Sequence, residues 1–260
     1  WIYRMVIEGE FGYSFYGVRK PNRERIANLV PTTIALAAFT IFLTWTIAIP
    51  IGIYSAVRQN TIADYSFTLL GFTGLAVPDF LLALVLMYLA FDIFGASVGG
   101  LYSGNYETAP WSLAKVIDLI KHIFIPAAVL GTSGTAGLIR IMRNNLLDEL
   151  RKPYVVAAYS KGLEKWKTVL KYPVRVAINP FVSSIGAMLP ALISGSVIVS
   201  VVMSLPTVGP LLLHALGRED IYLAGTIILL LATLTVVGTL ISDLLLVLID
   251  PRIKITGSVK

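Results

Sequence analysis

LVPTTIALAAFTIFLTWTIAIPIGIYSAV, residues Leu29–Val57, is an unbroken apolar stretch without a charged side chain. A helix needs roughly 20 apolar residues to cross the hydrocarbon core of a bilayer, and a longer one crosses with tilt. Pro31 suits the first turn of a helix, and Pro50 predicts a kink. The stretch therefore predicts a transmembrane helix that starts near Leu29.

Four further apolar segments follow along the chain. They run from about Tyr65 to Phe94, His122 to Ile141, Ala177 to Leu205 and Tyr222 to Ile249, and Pro78-Asp79 interrupts the first of them. The 260 residues are 56% hydrophobic and 14% charged, which exceeds what the core of a soluble domain needs. We therefore predict an all-α integral membrane protein, with five transmembrane helices in a domain over residues 29–260.

Basic residues predict the orientation, because cytoplasmic loops of membrane proteins are enriched in lysine and arginine. With five crossings, Arg58, the basic residues from Arg140 to Arg175 and the tail from Arg252 to Lys260 fall on one side. We predict that this side and the C-terminus are cytoplasmic. Residues 1–28 are then extracytoplasmic, although they carry a basic cluster. Since the charges flank apolar segments, the net charge of +6 does not predict nucleic-acid binding.

The residue types needed for several chemistries are missing. The chain has no cysteine, which excludes disulfides and thiolate metal sites, and its two histidines, His122 and His214, stand without further ligands nearby in the sequence. It also lacks the glycine-rich GxxxxGK[ST] loop that cradles nucleotide phosphates. We predict that this chain is not an enzyme and binds no metal or cofactor.

The segment ELRKPYVVAAYSKGLEKWKTVLKYPVRVAINP, residues 149–180, joins the third and fourth apolar segments. It predicts two short helices, because Pro153 can open the first, Gly162 can end it, and a second can run from Leu163 to Lys171. The second helix places Leu163, Trp166, Val169 and Leu170 on one apolar face. Such a face either docks on a partner or lies on lipid headgroups, and periodicity alone leaves both open.

Six features of the chain, in this order, resemble the binding-protein-dependent ABC importer permeases of the dipeptide, oligopeptide and nickel group. They are GEFGYSF, TTIALA, AVPDFLLAL, the Ala157-Ala158, Gly162 and Pro180 pattern of the EAA loop, SLPTVGPLLLHAL and DLLLVLIDPR. The resemblance spans nearly the whole chain. It implies a type I ABC importer permease fold of six spans, whose first span precedes Trp1.

The resemblance also implies partners and a location. A permease of this group pairs with a homologous second permease, two cytoplasmic ATP-binding subunits that hold ATP and magnesium, and an extracytoplasmic substrate-binding protein. It is a multi-pass protein of a prokaryotic cytoplasmic membrane. The cargo implied first is a dipeptide or oligopeptide. Oligosaccharides are the main alternative, and nickel is a remoter one, because no histidine or carboxylate cluster suits a metal ion.

The EAA loop, about residues 148–176, is expected to dock on an ATPase subunit. Val156 stands at the motif's glutamate position, so a salt bridge from that acid is not expected here. The residues predicted to dock are Ala157, Ala158, Lys161, Gly162, Leu163, Glu164, Trp166, Val169 and Leu170.

Other candidate residues have two interpretations each. Asp79 either lines the pathway or bonds locally within the membrane, where a bare charge costs a few kcal/mol. Tyr102, Tyr106 and Trp111 either contact the binding protein or form an interfacial aromatic belt. His214 is either a binding-protein contact or an ordinary interfacial residue.

Two other classes of function remain open to test. A secondary transporter would need acidic residues at matching positions of inverted repeats, and Asp79 and Asp243 do not occupy matching repeats. A membrane aspartyl protease would need both acids at one depth. Asp79 is predicted in mid-span and Asp243 near the inner surface. This difference in depth argues against a membrane aspartyl protease.

Overall fold

The computed structural model describes residues 3, 7, 11–12, 22–95, 99–106, 109–110 and 112–249. Its regular elements in that part of the chain are helices: α1 (Asn22–Val57), α2 (Ile62–Ala76), α3 (Asp79–Phe94), α4 (Leu113–Leu150), α5 (Pro153–Ser160), α6 (Lys165–Lys171), α7 (Pro173–Ala177), α8 (Asn179–Gly195), α9 (Val197–Val202), α10 (Val208–Gly217) and α11 (Ile221–Ile249). The all-α prediction is confirmed for these residues.

Within the described residues, α1 over Leu29–Val57 and α11 are each long and apolar enough to cross a membrane, and α2 with α3 together make a third candidate. The predicted third span lies inside the longer α4, and the predicted fourth span is divided among α7, α8 and α9. The count of five spans therefore stays a prediction.

The start of α1 differs from the prediction. The helix begins at Asn22, so Pro31 lies within it instead of opening it. A proline inside a helix removes one backbone hydrogen bond. Packing offsets this loss, because Ile26, Leu29 and Val30 contact the cluster formed by α10 and α11.

The predicted interruption of the second span is present at Pro78. Val77 is extended (φ −83°, ψ 124°), as residues before proline tend to be, and it ends α2. The Pro78 carbonyl accepts hydrogen bonds from the backbone N–H groups of Leu81 and Leu82. Asp79 is thus the first residue of α3, where the helix dipole favours a carboxylate.

The described residues fall into two compact units. The first contains the chain up to Ile41, Pro78–Gly131 and Leu189–Thr235. Its core joins Ile26 of α1 to buried residues of α10 and α11. Two threonines of α1 fix the loop ahead of α10: Thr32 donates to the Pro206 carbonyl at 2.8 Å, and the Val208 N–H donates to Thr33 Oγ1 at 3.0 Å.

The second unit contains Phe42–Val77, Thr132–Met188 and the chain from Val236 onward. Its core packs α1, α4 and the helices from α6 to α8 around Met142, Leu146 and Phe181. The rings of Trp45 and Phe181 meet edge to face at 5.9 Å. Val169, Val174 and Ala177, which belong to the segment of residues 149–180, are part of this core.

Gly186 of α8 allows a close helix contact in this second unit. A Cβ atom there would lie 2.8 Å from the Thr239 backbone of α11, a distance that side-chain rotation cannot relieve. Gly186→Ala is therefore expected to destabilise the fold by about 1–3 kcal/mol through overpacking. Gly195→Ala in the same helix is the control, because a Cβ there meets nothing within 4 Å. Thermal unfolding in detergent measures both, and equal midpoints would contradict the close contact.

Candidate functional site

The candidate site is a hairpin of two short helices, α5 and α6, in the second unit. Pro153 occupies the first turn of α5, and Gly162 after it adopts φ +76°, so both predicted boundary residues are confirmed. The Gly162 N–H donates to the Tyr159 carbonyl at 2.9 Å, which closes the helix end. α6 begins at Lys165, two residues later than predicted, because Glu164 is still extended.

The inner side of the α5–α6 hairpin anchors it to the core. Val155, Ala158 and Thr168 are buried, and Val169 is only 3% exposed within the cluster that contains Met142. Ala158 and Val169 were predicted to contact an ATPase. Their side chains are buried in this chain, and the contact stays a prediction. They face inward because the core of this chain covers one side of each short helix.

The outer side of the same hairpin presents apolar side chains to the surroundings. Trp166 is 45% exposed and Leu170 55% exposed, and Leu163 is similarly open. Burying large apolar side chains is favourable, so a group of them on a rigid hairpin marks an interaction surface. The other predicted docking residues, Ala157, Lys161, Gly162 and Glu164, are also exposed.

Glu164 is already paired within the hairpin. Its carboxylate lies 2.8 Å from Lys167 Nζ, and both side chains are mostly exposed. An exposed pair of this kind contributes little to stability. Glu164 therefore remains available for exchange of partners at the surface.

A groove of about 600 Å³ runs beside the hairpin. Lys161, Lys171 and Arg175 line it, together with Leu163, Tyr154 and other residues up to Ile249 at the end of α11. Among these lining residues there is no carboxylate. The groove is therefore cationic with an apolar floor, and it is complementary to a partner that carries acidic side chains around an apolar one.

A buried ionic cluster in the second unit was not predicted from the sequence. Arg143 of α4 donates from Nε and Nη2, at 2.8 Å each, to the two carboxylate oxygens of Asp64. The same carboxylate accepts from the Ser55 hydroxyl and from the Asn60 N–H at 3.0 Å. Asp64 is 1% exposed. The bidentate geometry is the strongest form of an arginine–carboxylate contact.

This cluster joins three helices at one corner. Ser55 belongs to the end of α1, Asp64 to the first turn of α2, and Arg143 lies about two turns before α4 ends. The pattern Thr61-x-x-Asp64 signals a helix N-terminus, and the Asp64 N–H does donate to Thr61 Oγ1. That signal indicates a capping role for Asp64. It does not reveal that Arg143, far away in the sequence, completes the cluster.

The remaining candidates lie in the first unit. Tyr102 and Tyr106 are partly buried, and Lys115 Nζ lies 4.9 Å from the centre of the Tyr102 ring. His214 is exposed in α10, Asp79 is partly exposed, and Trp111 lies outside the described residues. Among the described residues there is no group of three side chains suited to a metal ion.

Asp118 holds the loop that carries the two tyrosines. Burial raises the pKa of Asp118, but hydrogen bonds from the N–H and hydroxyl of Ser103 and the nearby His122 and Lys121 lower it, and the net pKa is below the ordinary value. The Ser103 contacts measure 2.8 and 2.6 Å. The carboxylate thus stays charged at neutral pH and fixes the position of the loop.

The fold defines a class of protein, a helical membrane subunit with an anchored hairpin that exposes apolar side chains. The chain belongs to the family of binding-protein-dependent transport system inner membrane components, which matches residues 48–255. It is therefore an inner-membrane transport subunit, and the family predicted from the sequence motifs is confirmed.

Curated relatives cover almost the whole chain. The oligopeptide transport system permease protein AppB of Bacillus subtilis (strain 168) is 34% identical over 98% of this chain and 78% of its own length. The dipeptide transport system permease protein DppB of Escherichia coli (strain K12) is 28% identical over 96% of this chain and 78% of its own length.

A solved structure shares the fold. A chain of the MetNI methionine ABC transporter, in an inward-facing conformation, superposes with a TM-score of 0.65 and covers 86% of this chain and 96% of its own length. Its sequence is 17% identical, so the likeness concerns the fold and not the substrate. The ABC importer permease fold predicted from the motifs is supported by this superposition.

Proposed function

We propose that this chain is one of two pathway-forming permease subunits of an ATP-driven importer of dipeptides or oligopeptides. The names of the curated relatives supply the substrate class. The observation that carries the coupling role is the α5–α6 hairpin, which is anchored by Val169 on one side and exposes Trp166 and Leu170 on the other.

In this proposal two cytoplasmic ATPase subunits bind ATP and magnesium, and one of them receives the hairpin. This chain itself binds no cofactor. A homologous permease completes the pathway, and an extracytoplasmic binding protein delivers the peptide to the side that carries Tyr102, Tyr106, Trp111 and His214. In this proposal the C-terminus is cytoplasmic.

The mechanism follows from how the hairpin is held. A surface that is rigidly packed on the membrane helices passes a displacement on as a rigid-body movement instead of absorbing it. α4 runs directly into the hairpin and carries Arg143, which grips Asp64 at the α1–α2 corner. ATP-driven movement of the docked subunit would therefore move α4 and α1 together, and so open or close the pathway.

Asp79 remains a candidate for the pathway. Asp79 lies at the N-terminus of α3, where the helix dipole stabilises a carboxylate. This structural role alone would account for an acidic residue at this position. An Asp79→Asn variant that transports peptides of every charge equally well would remove the pathway role.

The test of the proposed function is ATP hydrolysis by the full complex in liposomes with its binding protein. We expect peptides of two or more residues to stimulate hydrolysis and to accumulate inside the vesicles, while oligosaccharides and nickel do neither. Stimulation by oligosaccharides alone would contradict the peptide substrate class, but the chain would still be a subunit of an ATP-driven importer. Peptide accumulation without ATP would indicate a secondary transporter instead.

A further inference from the structure

A second cavity, of about 290 Å³, lies between α2 and α4, away from the groove beside the hairpin. Phe67, Gly71 and Phe72 line it from α2, and Ala136, Arg140 and Asn144 line it from α4. Arg140 and Asn144 lie in the C-terminal part of α4, which is followed directly by the α5–α6 hairpin. The pocket is therefore at the same end of the membrane helices as the hairpin. The pocket shares no lining residue with the groove beside the hairpin.

One end of this α2–α4 pocket is cationic. The exposed Arg140 guanidinium carbon lies 4.6 Å from the centre of the Phe72 ring. Asp64 and Arg143 also line the pocket, and the Asp64 carboxylate is paired with Arg143. Within the described part of the chain, Arg140 itself has no carboxylate partner. As far as the described residues show, the pocket therefore carries one positive charge without a carboxylate counter-charge.

The other end is apolar and shaped by small residues. A Cβ atom on Gly71 would lie 3.7 Å from the Cβ of Ala136, so the two helices approach closely at the base of the pocket. Phe72 is 51% exposed beside it, and Leu75, one turn further along α2, is also exposed. In a membrane protein, exposed apolar side chains of this kind face either lipid tails or another subunit.

We propose that the α2–α4 pocket binds one anionic phospholipid. Its phosphate accepts hydrogen bonds from Arg140, and its acyl chain lies along Phe72 and Leu75. The guanidinium lies over the Phe72 ring, and its planar set of N–H donors suits a phosphate with two acceptor oxygens. An uncompensated cation between helices, next to a lipid-facing surface, favours a lipid with net negative charge.

The lipid proposal requires that the chain is a membrane protein, but it does not require that the cargo is a peptide. A negative transport assay would therefore leave the lipid proposal standing, and a negative lipid assay would leave the proposed transport function standing. The full complex is purified and mixed with phosphatidylglycerol, with phosphatidylcholine, or with inorganic phosphate alone. Native mass spectrometry then counts retained lipids, and thermal unfolding gives the affinity. We expect retention of phosphatidylglycerol and a higher unfolding midpoint, with no effect from phosphatidylcholine or phosphate.

Arg140→Gln is expected to weaken phosphatidylglycerol binding about tenfold, since it removes a charge-assisted hydrogen bond. Arg58→Gln is the matched control, because Arg58 also lies over an aromatic ring, that of Tyr54 at 5.3 Å, but outside the pocket. If Arg140→Gln does not fold, Phe72→Leu, which removes the ring beneath the guanidinium, replaces it and should weaken binding several-fold.

Three outcomes would overturn the proposal. Equal loss in the Arg140 and Arg58 variants would show diffuse attraction of lipids to the whole surface. A stabilising effect of inorganic phosphate equal to that of the lipid would show a free-anion site. Absence of bound phosphatidylglycerol in the full complex would mean that a protein partner covers the pocket or that it is empty.

Discussion

Asp64→Asn is expected to lower the free energy of unfolding by about 3–5 kcal/mol, because it leaves the Arg143 guanidinium partly buried without its counter-charge. The substitution keeps the shape of the side chain, so it removes charge and not volume. It also weakens the contacts that Ser55 and Asn60 donate to the carboxylate. Reversible unfolding of the purified subunit in mixed micelles measures the loss.

Glu164→Gln is the matched control for this prediction. Glu164 also pairs with a basic residue at 2.8 Å, but that pair is exposed, so its loss should hardly change stability. A double-mutant cycle with Arg143→Gln then isolates the coupling between Asp64 and Arg143. Near-additive effects of the two substitutions would contradict the cluster as a structural clamp.

Replacing Trp166 by alanine and Leu170 by serine together is expected to weaken binding of the ATPase subunit by about 100-fold. Truncation of anchor residues at the centre of an interface typically costs about 2–4 kcal/mol each, and the sum is less than additive. Both side chains are about half exposed, so the fold itself should lose little stability. Co-purification of the ATPase and peptide-stimulated ATP hydrolysis measure the effect.

Val169→Ala is the comparison variant, and it is expected to affect stability more than ATPase binding. Val169 is buried in the core of this chain, so truncation should lower stability and should affect ATPase binding only in proportion. If the double variant of Trp166 and Leu170 binds the ATPase and supports peptide-stimulated ATP hydrolysis like the wild type, the hairpin lies on lipid headgroups instead of on a protein. In that case the same variant should partition less strongly to anionic vesicles.

The local elements of the hairpin could be predicted because their signals are local. Proline fixes its own φ and lacks an N–H, which suits it to the first turn of α5, and Gly162 reaches a positive φ that other residues adopt only with strain. The break at Pro78 follows from the same restriction on the residue before proline. These constraints act within a few residues, so the sequence around them is sufficient.

The start of α1 and the inner face of the hairpin could not be predicted in this way. Pro31 indicates a helix start by its own chemistry, but contacts of Ile26 with α10 and α11 extend the helix back to Asn22. The periodicity of α6 places Leu163, Trp166, Val169 and Leu170 together. Only packing against Met142 and its neighbours shows that Val169 faces inward and the others outward.

The sequence by itself determined the helical membrane class, the family and the place of the hairpin, because apolar length, proline and glycine act locally and the family motifs are contiguous. The tertiary structure alone decided which residues meet across helices. Asp64 and Arg143 are 79 positions apart, and no periodicity relates them. Their pairing depends on how α2 packs against α4, which is a property of the folded chain.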